Sequence, residues 1–276
     1  PLAKFNLNYG HHDGEERSMF PMQYKPRFGN LVNNTAQRME CETLFYKDKT
    51  ITLTNRNYDE VFGKELDDIN KYDPVDHKDA YAREHMIEYA HRTIDQTRKV
   101  VKELCGKNKI ISERYVMNKP KKLLHDIIGR IDYETDNVFI ELKTKPPSIV
   151  KKKGKDEYYF KTQTLNDDAV FPDYWKQVAF YWKCTGKKPF LVLVNDKEYL
   201  IYDDTHAALY DDHLEYQYNL MVNKIYNWEQ MIIYCKGDLQ KLADISEPPD
   251  LNHYFHYKYL TDKQRKTIKQ LWRIDA

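Results

Sequence analysis

Gly129-Arg130-Ile131-Asp132, and then Val138-Phe139-Ile140-Glu141-Leu142-Lys143, is the stretch on which the reading of this 276-residue chain turns. Both runs are rich in strand-forming residues, and the turn-like Glu134-Thr135-Asp136-Asn137 joins them, so they read as consecutive antiparallel strands. On an extended strand alternate side chains share a face: Glu141 and Lys143 project together while Leu142 points to the core. The turn brings Asp132 beside them, placing two carboxylates and one ammonium at a single spot. Hard oxygen ligands of this kind suit Mg²⁺ or Mn²⁺, completed by water and a substrate phosphate. The lysine can orient and help deprotonate an attacking water, while the metal stabilises charge on phosphoryl oxygens. The backbone carbonyl of Leu142 faces the same region as a further ligand. An isolated E-x-K would be a solvated cross-strand ion pair worth ~0.2–1 kcal/mol. Here Glu141 closes a Val-Phe-Ile run whose neighbours are apolar on both faces, and an ionisable group there is costly without a metal or partner.

Working outward, residues 110–117 form one more strand before this pair, and the middle strand is read over 123–133. Residues 79–104 have helical spacing, with Ala82, Met86, Ala90, Ile94 and Val101 along one face. Pro172-Asp173 opens another helix, through about Cys184, and Gly186 closes it. Pro189–Val194 is a continuous apolar run typical of a buried strand, and Glu198–Tyr202 is its hairpin partner after Asn195-Asp196. The order is αβββαβ: an α/β (α+β) core with a mixed central sheet flanked by helices, over residues 79–205. Residues 1–40, with Pro21, Pro26, Gly29, Asn33 and Asn34, read as an irregular arm. Residues 58–79 carry eight acids against three lysines, and Pro74 makes one continuous helix through them unfavourable. The division is therefore 1–78, an N-terminal arm and acidic segment; 79–205, the core; and 206–276, a C-terminal helical extension. That extension holds a long helix over about 209–234 and another near 261–272. One compact domain is expected overall.

The order G-x-x-D, then E-x-K, then Gln177-x-x-x-Tyr181 on the following helix resembles the PD-(D/E)xK nuclease superfamily. Asp173-Tyr174-Trp175-Lys176-Gln177-Val178-Ala179-Phe180-Tyr181 is similar to its RecB-like exonuclease branch, which holds the mitochondrial genome maintenance exonuclease and phage relatives. The resemblance spans roughly residues 79–205 and implies a restriction-endonuclease-like core. It makes Asp132 and Glu141 metal ligands and Lys143 the catalytic lysine. Gln177 and Tyr181, one helical turn apart, would support the site or the DNA strand. The family also places a Glu or His on the helix before the sheet; Glu84, or His85, holds that place here, with Glu88 one turn further as a supporting residue. The usual small Gly beside this position is missing. The implied activity is Mg²⁺/Mn²⁺-dependent DNA exonuclease, a phosphodiester hydrolase acting from single-stranded ends in DNA repair or replication. The alternatives are a structure- or sequence-specific endonuclease on the same core, and a non-catalytic nucleic-acid-binding or assembly protein.

Composition sets the frame. There are 44 Lys+Arg against 43 Asp+Glu, a formal charge of +1, so attraction to a polyanion must be local rather than global. The local source is Lys143–Lys161, with seven lysines against two acids. Read as a loop, it offers Lys145, Lys151, Lys152 and Lys153 to a phosphate backbone and Tyr158 and Tyr159 to bases. Cys41, Cys105, Cys184 and Cys235 are too dispersed for a metal cluster and read as free thiols; no iron–sulfur group is expected. His11-His12-Asp13 reads as a surface loop. No apolar run reaches the ~18–20 residues of a membrane span, and no membrane partner is expected. With no secretory pattern at the start and acids at Asp13, Glu15 and Glu16, the expected setting is the cytoplasm of a bacterial or phage-infected cell. A mitochondrial matrix enzyme after transit-peptide removal is the other setting.

Overall fold

The structure, a computed structural model, describes residues 24–46, 49–54, 56–70, 74, 77–154, 157–249, 251 and 262–274. The central strand β5 (Val138–Thr144) organises it. On one side β5 pairs antiparallel with β4 (Ile127–Glu134), on the other parallel with β8 (Lys188–Val194). Beyond β4 lie β3 (Ile111–Asn118), β1 (Thr43–Tyr46) and β2 (Lys49–Thr52); beyond β8 lies β9 (Tyr199–Tyr202). The sheet order is β2-β1-β3-β4-β5-β8-β9, a seven-stranded mixed sheet.

Alternation along β5 sends its residues to two different layers. Ile140 and Leu142 are buried with Val100, Val101 and Cys105 of the helix α3 (His77–Cys105). Phe139 points the other way, its ring centroid 6.0 Å from that of Tyr181 on α4 (Pro172–Thr185). Helices thus flank the sheet on both faces, as the alternation along β5 and the helical spacing of α3 require. In chain order α3, β3, β4, β5, α4 and β8 reproduce the αβββαβ succession read from the sequence. Proline opens α4, and Gly186, at φ 65°, closes it, its amide bonded to the Trp182 carbonyl. Pro74 does separate two helices, α2 (Tyr58–Asn70) and α3.

Two segments differ from the sequence reading. Of the arm assigned to residues 1–40, residues 1–23, including His11-His12-Asp13, lie outside the described residues. Residues 24–40 are not irregular: they form α1 (Tyr24–Glu40), with Phe28, Leu31, Val32 and Ala36 fully buried. That helix joins Met86, Ala90 and Ile94 in one apolar cluster. Residues 145–161 are not a plain loop either. They hold the hairpin β6 (Ser148–Lys151) and β7 (Tyr158–Lys161), whose facing pair Ile149 and Phe160 is buried in the same cluster. The middle strand also begins later than expected, at Ile127.

The chain falls into two units. The larger holds Gln23–Lys121 and His125–Met221, and with it the whole sheet. Among the described residues, the smaller holds Lys122–Leu124 and those from Val222 onward, the division falling within α5 (Asp211–Cys235). In the smaller unit Cys235 and Leu242 of α6 (Leu239–Ile245) pack with Trp228 and Met231. Ile268 of α7 (Asp262–Leu271) packs with Leu251 and Trp272, and the Trp272 indole donates to the Ser246 carbonyl at 3.2 Å. No helix among the described residues is long and apolar enough to cross a membrane.

Candidate functional site

The residues that the strand pattern drew together are together. Asp132 Oδ2 accepts from the Leu142 amide at 2.8 Å, which locks the aspartate of β4 onto β5. Leu142 keeps its side chain in the core. Lys143 Nζ donates to Glu141 Oε1 and, at 2.9 Å, to Gln177 Oε1 of α4. The chain of bonds continues: Gln177 Nε2 donates to the Tyr181 hydroxyl at 2.9 Å, and that hydroxyl donates to the Arg130 carbonyl at 2.6 Å. Tyr174 places its ring 4.7 Å from Lys143 Nζ, a cation–π contact. The three motifs of the sequence form one hydrogen-bonded network, and its tyrosine returns to the strand that carries the aspartate.

The electrostatics are those of an enclosed acidic pair. Burial pushes the Asp132 carboxyl well above the usual range, and the charges of Glu141 and Glu113 push the same way; Lys143 and the Leu142 amide oppose them. Glu141, with its side chain 2 % exposed, is likewise pushed up, first by burial and then by Glu113, against the pull of Lys143. For Lys143 burial disfavours the charge, yet Glu141 and Asp132 outweigh it and carry its pKa above the ordinary lysine value. The ammonium is therefore held charged. Glu141 Oε2 is buried and has no hydrogen-bond partner in the protein. A bare carboxylate oxygen costs about 1–3 kcal/mol or more when buried unsatisfied. Two carboxylates with one oxygen open fit a hard divalent cation, which takes one or two such ligands and completes its shell with water.

Gly129 explains part of the G-x-x-D spacing. A Cβ built there would lie 2.5 Å from Tyr181 Cε1 and 2.9 Å from Phe180 Cε1. The glycine lets α4 approach the strand closely enough for Tyr181 to reach the Arg130 carbonyl.

Sequence reasoning missed Glu113. It stands at the register position facing Asp132, between the pairs Ser112–Tyr133 and Arg114–Ile131, and its φ is 57°. A left-handed non-glycine residue inside a strand is strained. Gln37 Nε2 donates to its Oε1 at 2.9 Å and Arg130 pairs with its Oε2 at 2.9 Å. Ser-Glu-Arg reads as ordinary alternation, and only the fold reveals the partners that hold it.

Other expected residues lie elsewhere. Glu84 lines a cavity of about 410 Å³ with His77, Ala80, Tyr81, Glu157 and Tyr158, and neither Asp132 nor Glu141 borders it. His85 stacks on Tyr81 at 4.2 Å and bonds its carbonyl through Nδ1 at 2.9 Å. Glu88 pairs with Arg92. Glu84 and Glu88, with side chains 78 % and 77 % exposed, project away from the α3 face that holds Ala82, Met86 and Ala90. Among the described residues no group of three or more His, Cys, Asp and Glu is placed to hold a metal ion. Of the lysines, Lys145 is buried with its ammonium on the Ala169 carbonyl, Lys152 pairs with Glu157 at 2.7 Å, and Lys151 and Lys153 lie at the surface. Tyr158 packs 5.8 Å from Tyr81, while Tyr159 is exposed.

Compared with protein-family models, curated proteins and solved structures, the chain matches none.

Proposed function

We propose that the chain is a Mg²⁺- or Mn²⁺-dependent deoxyribonuclease with a restriction-endonuclease-like core, acting as an exonuclease on single-stranded DNA ends. The observation that carries this reading is the joined set Asp132, Glu141, Lys143 and Gln177, with Glu141 Oε2 buried and left open. The αβββαβ succession and the resemblance to RecB-like nucleases support it. Asp132 and Glu141 would hold the ion, with the Leu142 carbonyl as the further candidate. When bound, the ion supplies Lewis-acid neutralisation of the charge that builds on the phosphoryl oxygens.

The protein groups have separate tasks. The Lys143 ammonium, positioned by Glu141, Gln177 and Tyr174, is a fixed donor for a phosphoryl oxygen or for the attacking water. Its raised pKa makes it a donor rather than the proton acceptor. Gln177 and Tyr181 hold that donor against the strand, so the geometry exists before substrate arrives.

The test is incubation of linear and circular single-stranded DNA with Mg²⁺ or Mn²⁺, using wild type, Asp132→Ala and Lys143→Ala, each checked for an unchanged melting profile. Linear DNA should be lost and circles spared. Either substitution should lower the rate by about 10²–10³-fold or more. Cutting of circles would replace the exonuclease reading by an endonuclease on the same core. Intact DNA of every form would leave a non-catalytic binding protein.

A further inference from the structure

The ribbon of β3 and β4 continues past Asp132 and carries an exposed face. Tyr115 stands opposite Arg130, and Met117 opposite Ile128. Register partners share a face, as do residues two apart, so these four side chains form one patch. All are open to solvent: Tyr115 is 45 % exposed, Met117 63 % and Ile128 61 %, and the Arg130 side chain 53 %. Large apolar side chains gathered in water on a short ribbon mark a binding surface. The turn after β3 adds Lys119 and Lys121, both exposed, against a single acid, Asp126.

The patch is tied to the carboxylate site by direct contacts rather than by nearness alone. Arg130 pairs with Glu113 at 2.9 Å; Gln37 bridges Glu113 Oε1, at 2.9 Å, and the Asp132 carbonyl, at 3.4 Å. The guanidinium lies 5.8 Å from the Tyr115 ring centroid, and the Arg130 backbone is pinned by Tyr181. One of its five N–H donors engages Glu113 in that pair, which leaves others for an incoming anion.

We infer that this face is the track along which a single strand of nucleic acid enters the carboxylate site. Arg130 binds a phosphate beside the reacting one, Tyr115 stacks on a base, and Met117 and Ile128 cover the next bases. The inference rests on the nuclease reading and names the surface that guides the single strand to this site. The four residue steps from Ile128 to Asp132 span ~13 Å, room for more than one nucleotide. Stacking on side chains needs bases with a free π-face, which a duplex does not offer. Two features favour a polyanion over a second copy of the chain. Arg130 stands on the patch and the exposed Lys119 and Lys121 follow directly after β3, and a two-fold contact would gather those cations from both copies at one interface.

The experiment measures binding of a labelled oligothymidylate by fluorescence anisotropy, in the full chain carrying Lys143→Ala to prevent cleavage. Added to that background are Tyr115→Ala, Ile128→Ser, Arg130→Gln and Arg130→Lys, all surface changes. Tyr115→Ala should weaken single-strand binding about 10–100-fold and leave duplex binding unaltered. Arg130→Gln should reduce the slope of log affinity against log salt by about 0.7, and Arg130→Lys should restore it. If Tyr115→Ala and Ile128→Ser bind as tightly as their parent while wild type still degrades single strands, the track is wrong and the nuclease reading stands. If the wild-type chain neither binds nor degrades single strands, both fall. A change of oligomeric state in Ile128→Ser, read by light scattering, with binding unchanged would make the face a contact between copies and overturn the inference.

Discussion

At the scale of single residues, the chemistry depends on positions that carry none. Gly129 has no side chain to contribute, yet a methyl group there would press against the edges of two aromatic rings. Phe180 and Tyr181 are both buried, 3 % exposed, so neither ring can swing away cheaply. Gly129→Ala should therefore force α4 off the strand and draw Tyr181 from the Arg130 carbonyl. Overpacking of this kind costs about 1–3 kcal/mol, read as a lower urea midpoint. The same displacement should loosen Gln177 and Lys143, so the rate of the proposed nuclease reaction should fall further than the stability loss alone would lower it. A variant with a reduced midpoint and unaltered rate, measured where it is fully folded, would show that Tyr181 does not position Lys143. The G-x-x-D signal was thus legible as a pattern, but its glycine acts through a helix some fifty residues further on, which no local rule reveals. Glu113 was illegible for the same reason: its partners Gln37 and Arg130 come from another helix and another strand.

At the scale of elements, the sequence was clear wherever one period ran uninterrupted, and unclear where turn-forming residues overlay it. The helix α3, the strand β8 and the helix α4 all appear within a residue or two of where periodicity and caps put them. In α1 the apolar positions 28, 31, 32 and 36 do keep helical spacing, but Gly29, Asn33 and Asn34 stand between them. Those residues are poor helix formers, and local propensity argues for a loop. Packing decides otherwise, because the apolar face of α1 joins Met86, Ala90 and Ile94 of α3 in one buried cluster. Tertiary burial supplies what propensity withholds. Leu31→Ala, at a position with no exposure, should accordingly cost about 2–5 kcal/mol in urea unfolding. A loss under 1 kcal/mol would mean that α1 is held by something other than that cluster. The same contrast explains the helix residues that were expected at the site and lie away from it. Ala82, Met86 and Ala90 fix which side of α3 meets the core, and Glu84 and Glu88 then fall on the other side, whatever their order in the sequence suggests.

At the scale of the whole molecule, the near-balance of charge has an internal cause. The lysine-rich segment does not stand free beside β5. Lys143 is engaged by Glu141 and Gln177, Lys145 by a carbonyl, and Lys152 by Glu157. Part of the charge that looked available from composition is spent on holding the fold, and the exposed cation tied to Glu113, opposite Asp132, is Arg130 of the β3–β4 ribbon. The thiols show the same subordination of side chains to packing. Cys41, Cys105 and Cys235 are buried, and Cys184 is half-buried; none is in a disulfide. Burial pushes the Cys41 and Cys105 thiols up to about 12, and burial pushes Cys184 up to about 11. Only the thiolate reacts with a disulfide reagent. At pH 8 the native chain should therefore keep Cys41 and Cys105 unreactive, and should release four equivalents at once when urea unfolds it. The sign of the linked effect on stability follows. A thiol raised above its unfolded value of 9.0 stabilises the fold below that pH. The contribution is lost as pH rises toward about 12, so the urea midpoint should fall through that alkaline window. Cys41→Ala together with Cys105→Ala should flatten the fall, because those two groups bind protons more tightly in the folded state than in the unfolded one. Rapid release of three or four equivalents from the native chain would contradict the burial of the cluster that joins α3 to the sheet, and with it the packing that places β5 and its carboxylate.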